Sequence, residues 1–285
     1  MARAIASLAE VADGFGAVVL DQWGVLHDGR TPYPGAVDAL RALAARGTRL
    51  AVLSNSGKRA GPNADRIAAM GFPNGLFETV MTSGEALWRD IAQGRVTAHR
   101  LFPIERAPGD ARAFCEGLPV TLAPDLAGAD AVLLMGLPDD ADPAPVASLL
   151  DAATARGLTV HCTNPDRASP RADGATVVSP GALAHDLARR GGTVRFYGKP
   201  HPPVFEAVAA ALDLPPARLL MVGDSPEHDI AGAAAAGWSS VFVRGGLHRA
   251  ALGRAVDPRV LHRLFAEQRA PLPDFILDTI GARHA

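Results

Sequence analysis

What this chain has little of narrows its class before any motif is read. Cys115 and Cys162 are the two cysteines among 285 residues, too few for a disulfide-stapled secreted scaffold. With no export signal beside them, both thiols are expected to stay reduced and structural. Charge of one sign is equally scarce: 28 basic against 30 acidic residues leave a formal net charge of -2, which supplies no field to gather a polyanion or an anionic membrane surface. No apolar run reaches the roughly 18 residues of a membrane-crossing helix, and residues 1–10 hold no apolar stretch long enough for a signal peptide. The expectation is a soluble cytoplasmic protein with no nucleic-acid and no membrane partner. No fixed-period repeat is present.

What is present begins with a short hydrophobic run. Ala17, Val18, Val19 and Leu20 lead into Asp21, followed by Gln22, Trp23 and Gly24. An acid at the exit of a buried strand, facing a glycine turn, stands where open α/β sheets place reacting groups. Asp21 alone reads equally well as turn chemistry. Three later stretches add weight. Residues 49–55 form a second apolar strand ending in Ser54 and Asn55. Gly198, Lys199 and Pro200 precede Val204, Phe205, Val208 and Leu212 at helical spacing. Residues 219–222 read as a strand running into Gly223, Asp224, Ser225, Pro226, Glu227, His228 and Asp229. An acid, a hydroxyl, an ammonium and a pair of acids thus follow in order at strand or loop ends, and together they describe a phosphate and metal site.

Organisation supports that reading. Pro34 and Gly35 open, and Gly47 closes, a helix with Val37, Leu40, Leu43 and Ala44 on one face. A strand, helix, strand unit of this length implies parallel pairing and a right-handed crossover. The same grammar returns after residue 193: strand 194–197, helix 202–212, strand 218–222, helix 229–236 and strand 239–243. Between lie two short apolar runs, 131–135 and 158–162, around a helix at 145–156 with Val146, Leu149 and Leu150 inward. That is a second α/β unit rather than a long loop. The fold expected is α/β, a doubly wound, Rossmann-like parallel core made of residues 1–83 plus 194–285, with residues 84–193 inserted as a separate α/β domain. An amphipathic helix at 260–265 and then Pro271, Pro273 and Phe275 complete the chain without catalytic features.

On these residues the chain resembles the haloacid dehalogenase superfamily of aspartate-nucleophile hydrolases. Asp21 with Gly24, Ser54, Lys199, and Asp224 with Asp229 match its four motifs in order, and the likeness spans nearly the whole chain. The insert is placed like the larger cap of one subgroup. Within it Thr163, Asn164, Pro165 and Asp166 are similar to a segment in caps of class IIA, the sugar-phosphatase and nitrophenyl-phosphatase-like branch. The resemblance implies a Mg²⁺-dependent phosphatase acting on a small phosphorylated metabolite, such as a sugar phosphate or nucleotide, through an aspartyl-phosphate. A carboxylate can attack phosphorus and hold the phosphoryl group as an acyl phosphate, which assigns Asp21 as nucleophile. Mg²⁺ takes hard oxygen ligands, offered here by Asp21, the backbone carbonyl of Trp23, Asp224 and Asp229. Lys199 and Ser54 supply charge and a hydroxyl to the phosphoryl oxygens, and Gly24, Asn55, Asn164 and Asp166 are further substrate contacts. Arg167 and Arg171 can meet a second anionic group, although arginines in such a loop are more often simply exposed. Cap surfaces can pair, which allows a homo-oligomer.

One departure matters more than the matches. Phosphatases of this family usually carry a second Asp two residues after the nucleophile, which protonates the leaving group and then activates water; here that place holds Trp23. General acid and base catalysis is worth about 10² to 10⁴ in rate, so substrates with poor leaving groups should suffer most. His27 or Asp28, a cap residue such as Asp166, or a substrate with a good leaving group can each fill the gap. The favoured reading of His27 and Asp28 is turn polarity ahead of Gly29. A near-inactive phosphate-ligand-binding or regulatory protein is the main alternative to a phosphatase. A dehalogenase or phosphonate-cleaving hydrolase is more distant, since Asp224 and Asp229 are retained together with Lys199.

Overall fold

A computed structural model of the chain describes residues 2–138, 140–170, 176–252 and 257–281; Arg171 lies outside them. The strands in chain order are β1 (Arg3–Ala4), β2 (Ala17–Leu20), β3 (Leu50–Ser54), β4 (Thr79–Thr82), β5 (Arg100–Ile104), β6 (Thr121–Leu122), β7 (Ala131–Leu134), β8 (Thr159–Cys162), β9 (Ala168–Pro170), β10 (Thr176–Val178), β11 (Val194–Phe196), β12 (Leu219–Gly223), β13 (Ser239–Val243) and β14 (Phe275–Leu277). The chain divides into two compact units. One comprises Met1–Ser54, Ala64–Met81 and Phe205–Ala285; the other comprises Asn55–Asn63 and Thr82–Val204.

The first unit is built on an open sheet of order β1-β14-β13-β12-β2-β3-β4. Pairings from β1 through β14, β13, β12 and β2 to β3 are all parallel. β2 and β12 are buried along their whole length, which is why they read as unbroken apolar runs rather than as alternating ones. One face packs Val18, Leu20, Val52 and Val222 against Leu40 and Leu43 of the helix Ala36–Ala45. A second cluster gathers Phe242 with Ile230 and with Leu261 and Phe265 of the helix Pro258–Glu267. From β2 the chain winds outward to β3 and β4, and from β12 it winds the other way to β13 and β14. The direction reverses between β2 and β12, and such a switch point opens a crevice at the carboxyl ends of the strands.

The helix expected at 229–236 is split. Ser225 caps an earlier start by accepting the His228 N–H on Oγ at 3.2 Å, and Pro226 suits the first turn, having no N–H to leave unpaired. The resulting π-helical turn, Pro226–Ile230, lets the N–H groups of Asp229 and Ile230 both reach the Ser225 carbonyl, at 3.0 and 3.2 Å. The regular helix then runs only over Ala231–Ala235. Asp229 is therefore presented from a wide turn, close to the end of β12, and not from a regular helix.

The second unit has its own open parallel sheet, of order β11-β8-β7-β5-β6. Its core joins Val132, Leu134 and Val160 to Leu150 and Leu187 of the helices Pro143–Ala155 and Pro180–Arg189. The first of these helices begins where Asp142 accepts the Ala144 N–H, with Pro143 at its first position. Leu150 and Ala153 are buried there, and Val146 packs beside them; Leu149, expected inward, is 37% exposed. β9 and β10 form a separate antiparallel pair. Both large sheets are therefore open and α/β, as the strand, helix, strand grammar implies. Both cysteines are free, and burial pushes the thiols up to about 11 for Cys115 and about 12 for Cys162, which suits a packing role. Among the described residues no helix is long and apolar enough to cross a membrane.

Candidate active site

The register of β2 on β12 sets the first unit's chemistry. Leu20 lies opposite Val222, so the residues that leave the two strands, Asp21 and then Gly223 and Asp224, emerge side by side at the switch point. The Asp21 N–H donates to the Val222 carbonyl at 2.9 Å, which fixes the start of its loop. Asp21, Asp224 and Asp229 each bring a carboxylate oxygen within 4.8 Å of the others. Asp224 and Asp229 are buried, while Asp21 is partly exposed. Buried carboxylates need partners. Oδ2 of Asp224 accepts the Leu247 N–H at 2.6 Å, and Oδ2 of Asp229 accepts the Ser225 N–H at 3.0 Å.

Glycine makes this convergence possible. Gly24 has φ +86°, and a Cβ there would stand 1.8 Å from Asp224 Oδ2; a Cβ at Gly246 would stand 2.1 Å from the same oxygen. Two backbone segments thus close on one carboxylate from opposite loops. Ser54 ends β3 on the other side of β2 and is buried. Tyr33 feels the cluster at a distance: burial, and then the negative charge of Asp224, raise its phenol above the ordinary range.

In the second unit, four of the residues singled out from the sequence form one hydrogen-bonded group. Asn55 Nδ2 donates to Asp166 Oδ1 at 2.7 Å and to the Lys199 carbonyl at 3.2 Å, and Asn55 Oδ1 accepts the Lys199 N–H at 2.7 Å. The Asp166 N–H donates to Asn164 Oδ1 at 3.0 Å. Lys199 is buried, 3% exposed, and its peptide bond to Pro200 is cis. Asn55 therefore acts as a clamp on the backbone of Lys199. Arg167 is exposed.

The stretch beyond Gly24 is turn structure. His27 is buried, and its Nδ1 accepts the Gly29 N–H at 3.0 Å. Burial, helped by the Arg66 charge, lowers its pKa to about 4, so it is neutral at pH 7. A ring that is neutral at pH 7 has no imidazolium proton to give to a leaving group. Asp28 is exposed and accepts the N–H groups of Arg30 and Thr31, at 2.9 and 2.8 Å, which hold its carboxyl below the usual range. Trp23, in contrast, is 38% exposed.

Sequence reasoning missed two contributors. The loop after β13 supplies the Leu247 N–H, and Gly245 next to Gly246 at a strand end was the available clue. Arg66, on the helix Ala60–Ala69, donates to Oε1 of buried Gln22 at 2.9 Å and so braces the residue between Asp21 and Trp23. A single arginine on an amphipathic helix carries no such mark in sequence.

The chain is similar to known proteins over its whole length. Models of the haloacid dehalogenase-like hydrolases match residues 18–108 and 110–237, and a further HAD-hydrolase-like model matches residues 196–280. Chronophin of Rattus norvegicus is 31% identical over 243 residues, covering 79% of this chain and 75% of the relative. Glycerol-3-phosphate phosphatase of Homo sapiens is 27% identical over 305 residues, covering 98% and 92%. A haloacid dehalogenase-like hydrolase from Brucella suis 1330 superposes with a TM-score of 0.79 at 28% identity, covering 97% of this chain and 99% of that one. With the acid-bearing strand ends in place and these likenesses spanning both units, the chain belongs to the haloacid dehalogenase-like hydrolases.

Proposed function

We propose that this hydrolase is a cytoplasmic, Mg²⁺-dependent phosphatase for a small phosphorylated metabolite, with Asp21 as its nucleophile. The observation that carries the reading is the convergence of Asp21, Asp224 and Asp229 at the switch point, two of them buried and one partly exposed. The donor set fits a divalent cation. It offers only hard carboxylate oxygens, it gathers like charges that need a counter-charge, and it lacks the soft ligands that would select another ion. Asp21, Asp224 and Asp229, with the Trp23 carbonyl, would hold Mg²⁺. When bound, the ion supplies charge neutralisation for an anionic phosphoryl group beside an anionic nucleophile.

The protein's own groups then divide the work. A carboxylate oxygen of Asp21 attacks phosphorus, the ester P–O bond breaks, and its electron pair leaves on the alcohol oxygen. Water then attacks the phosphorus of the aspartyl-phosphate, which releases phosphate and restores the carboxylate. Ser54 and Lys199 bind the phosphoryl oxygens; Lys199 is held for that purpose by Asn55, whose side chain engages both its N–H and its carbonyl. Asn164 and Asp166 present polar groups to the organic part of the substrate, and residues 84–193 serve as the cap. With Trp23 at the place of a general acid and His27 committed to its turn, the leaving oxygen takes its proton from solvent. Good leaving groups are therefore preferred.

The test is phosphate release from p-nitrophenyl phosphate, with Mg²⁺ and with chelator, by the wild type and Asp21→Asn. Turnover that needs the metal and is abolished in the variant supports the reading; unchanged turnover in Asp21→Asn refutes it. One observation favours a second reading, a phosphate-ligand-binding protein with little turnover: Trp23 stands partly exposed beside the nucleophile, and its bulk can bar water. A silent wild type that still binds Mg²⁺ and phosphate would select it.

A further inference from the structure

The two faces of the second unit's sheet carry different residues. Side chains alternate along β8, so Val160 and Cys162 enter the core shared with the helices Pro143–Ala155 and Pro180–Arg189, while Thr159 and His161 stand on the opposite face. The register sets Arg195 of β11 beside His161 and Ala131 of β7 beside Thr159, so all four share that face. A cavity of about 210 Å³ lies on it, at the amino ends of the strands. Its remaining walls are residues 95–98, which precede β5, and Asp130, which precedes β7. This is the far end of the sheet from Asn164 and Asp166, which follow β8.

Two features of the lining point to a ligand. His161 is 4% exposed, and its Nδ1 is shielded from solvent without a hydrogen-bond partner. Buried polar atoms are seldom left so. The ring is neutral at pH 7, since burial and then the Arg195 charge lower its pKa to about 4, and a neutral imidazole keeps one N–H to donate. The second feature is the balance of charge. Arg95 is taken by Asp90, whose Oδ1 accepts its Nε–H at 2.8 Å, and Asp130 is taken by Arg100 and by the N–H groups of His99 and Arg100. Arg195 has no acidic partner among the described residues, so the lining keeps a net positive charge. The donors also come from separate elements: imidazole and the Thr159 hydroxyl from β8, guanidinium from β11, and the Thr97 hydroxyl from the segment before β5. A carboxylate presents two oxygens in one plane, whereas a phosphate group presents at least three around a tetrahedron. The volume equals about seven water molecules, room for a phosphate group and a few further atoms.

We propose that the second unit binds a phosphate group, free or esterified to a small alcohol, in this cavity, its charge against Arg195 and one oxygen accepting from the His161 ring. The proposal does not rest on the phosphatase reading, and none of the cavity's residues belongs to the set which that reading uses. A ligand of this size is expected to bind with a Kd in the millimolar range. Arg195 is exposed, so its substitution leaves the core intact.

The experiment uses the full chain labelled with ¹³C-histidine, without added metal and at fixed pH, with the His161 ring resonance assigned by its loss in His161→Phe. Inorganic phosphate, methyl phosphate, and potassium chloride of equal ionic strength are titrated separately into the wild type, Arg195→Gln and Asp224→Asn. The expected result is a saturable shift of the His161 resonance with phosphate or its ester and none with chloride, a Kd raised about tenfold or more in Arg195→Gln, and no change in Asp224→Asn. A lower Kd for the ion assigns the site to free phosphate, and a lower Kd for the ester assigns it to a phosphorylated small molecule; either supports the proposal. The proposal is overturned by a His161 resonance that both phosphates leave unmoved up to about 50 mM, well past the expected range. It is equally overturned by the same shift from chloride, by an Arg195→Gln variant that binds as the wild type does, or by loss of the shift in Asp224→Asn, which would place the ligand at the acidic cluster.

Discussion

Gly24, Gly246 and Gly47 form a natural experiment on how the acidic cluster is held. Gly24 and Gly47 share the same backbone dihedral, φ +86°, but a Cβ at Gly47 meets nothing within 4 Å, whereas at Gly24 it meets Asp224 Oδ2 at 1.8 Å. Gly246 presses on the same oxygen, at 2.1 Å, without the left-handed backbone. Alanine at Gly47 should therefore cost only strain, about 1 to 2 kcal/mol. Alanine at Gly246 should displace the Asp224 carboxylate and weaken its charge-assisted bond from the Leu247 N–H, about 1.5 to 3 kcal/mol. Gly24→Ala carries both terms, about 2.5 to 5 kcal/mol in all. Urea midpoints rank the three variants, and Mg²⁺-dependent p-nitrophenyl phosphate turnover separates the two mechanisms. Gly47→Ala should keep activity while the other two lose it. A Gly24→Ala variant no less stable than Gly47→Ala, with metal-dependent turnover intact, would refute the idea that this carboxylate is fixed by close backbone approach.

Trp23→Asp should restore a proton donor. It should raise turnover of alkyl phosphates by about 10² to 10⁴ while changing p-nitrophenyl phosphate far less, as steady-state kinetics on both substrates would show. Saturating Mg²⁺ at about a hundred times its Kd should stabilise the wild type by about 2.7 kcal/mol, and thermal scans should find that gain missing in Asp224→Asn. His161 lies buried in the second unit, and its pKa is lowered to about 4 by burial and then by the Arg195 charge. Its folded pKa is below the unfolded 6.5, so its contribution is complete above pH 6.5 and is lost as pH falls toward 4. At about 1.4 kcal/mol per pKa unit the loss is about 3 kcal/mol. His161→Phe should flatten the fall of the urea midpoint over that window, and an unchanged slope would show that another group governs it.

Asp21 and Asp224 were legible because each follows a strand that had to be apolar. β2 and β12 are central strands covered on both faces, so their sequences are unbroken hydrophobic runs, and the first polar residue after each run marks the crevice. Lys199 was legible only through its order in the set, since nothing in Gly198, Lys199 and Pro200 announces a buried ammonium. What escaped notice acts through backbone or through one long side chain. The Leu247 N–H has no residue identity to read, and Arg66 reaches Gln22 across a distance along the chain that periodicity does not encode. The split helix after Asp224 escaped for a related reason. Alanine-rich residues 231–236 look helical by propensity, and the wide turn before them depends on one carbonyl, that of Ser225, receiving two N–H groups.

The parallel pairing of β2 with β12 also has an electrostatic consequence that joins fold to function. Three carboxylates with oxygens no more than 4.8 Å apart repel one another, each pair by about 3.5 kcal/mol at an effective dielectric of about 20. Three pairs together approach the whole stability of an ordinary domain, about 5 to 15 kcal/mol. Two N–H donors, from Leu247 and Ser225, offset part of that repulsion by solvating Asp224 and Asp229, and the partial exposure of Asp21 screens another part. Neither removes the like-charge excess. A divalent cation of the kind proposed above would do so directly, so the arrangement that costs the first unit stability would give such a cation its affinity and link its binding to folding. The nucleophile proposed above is also the most exposed member of the three: Asp224 and Asp229 are buried, while Asp21 is partly exposed.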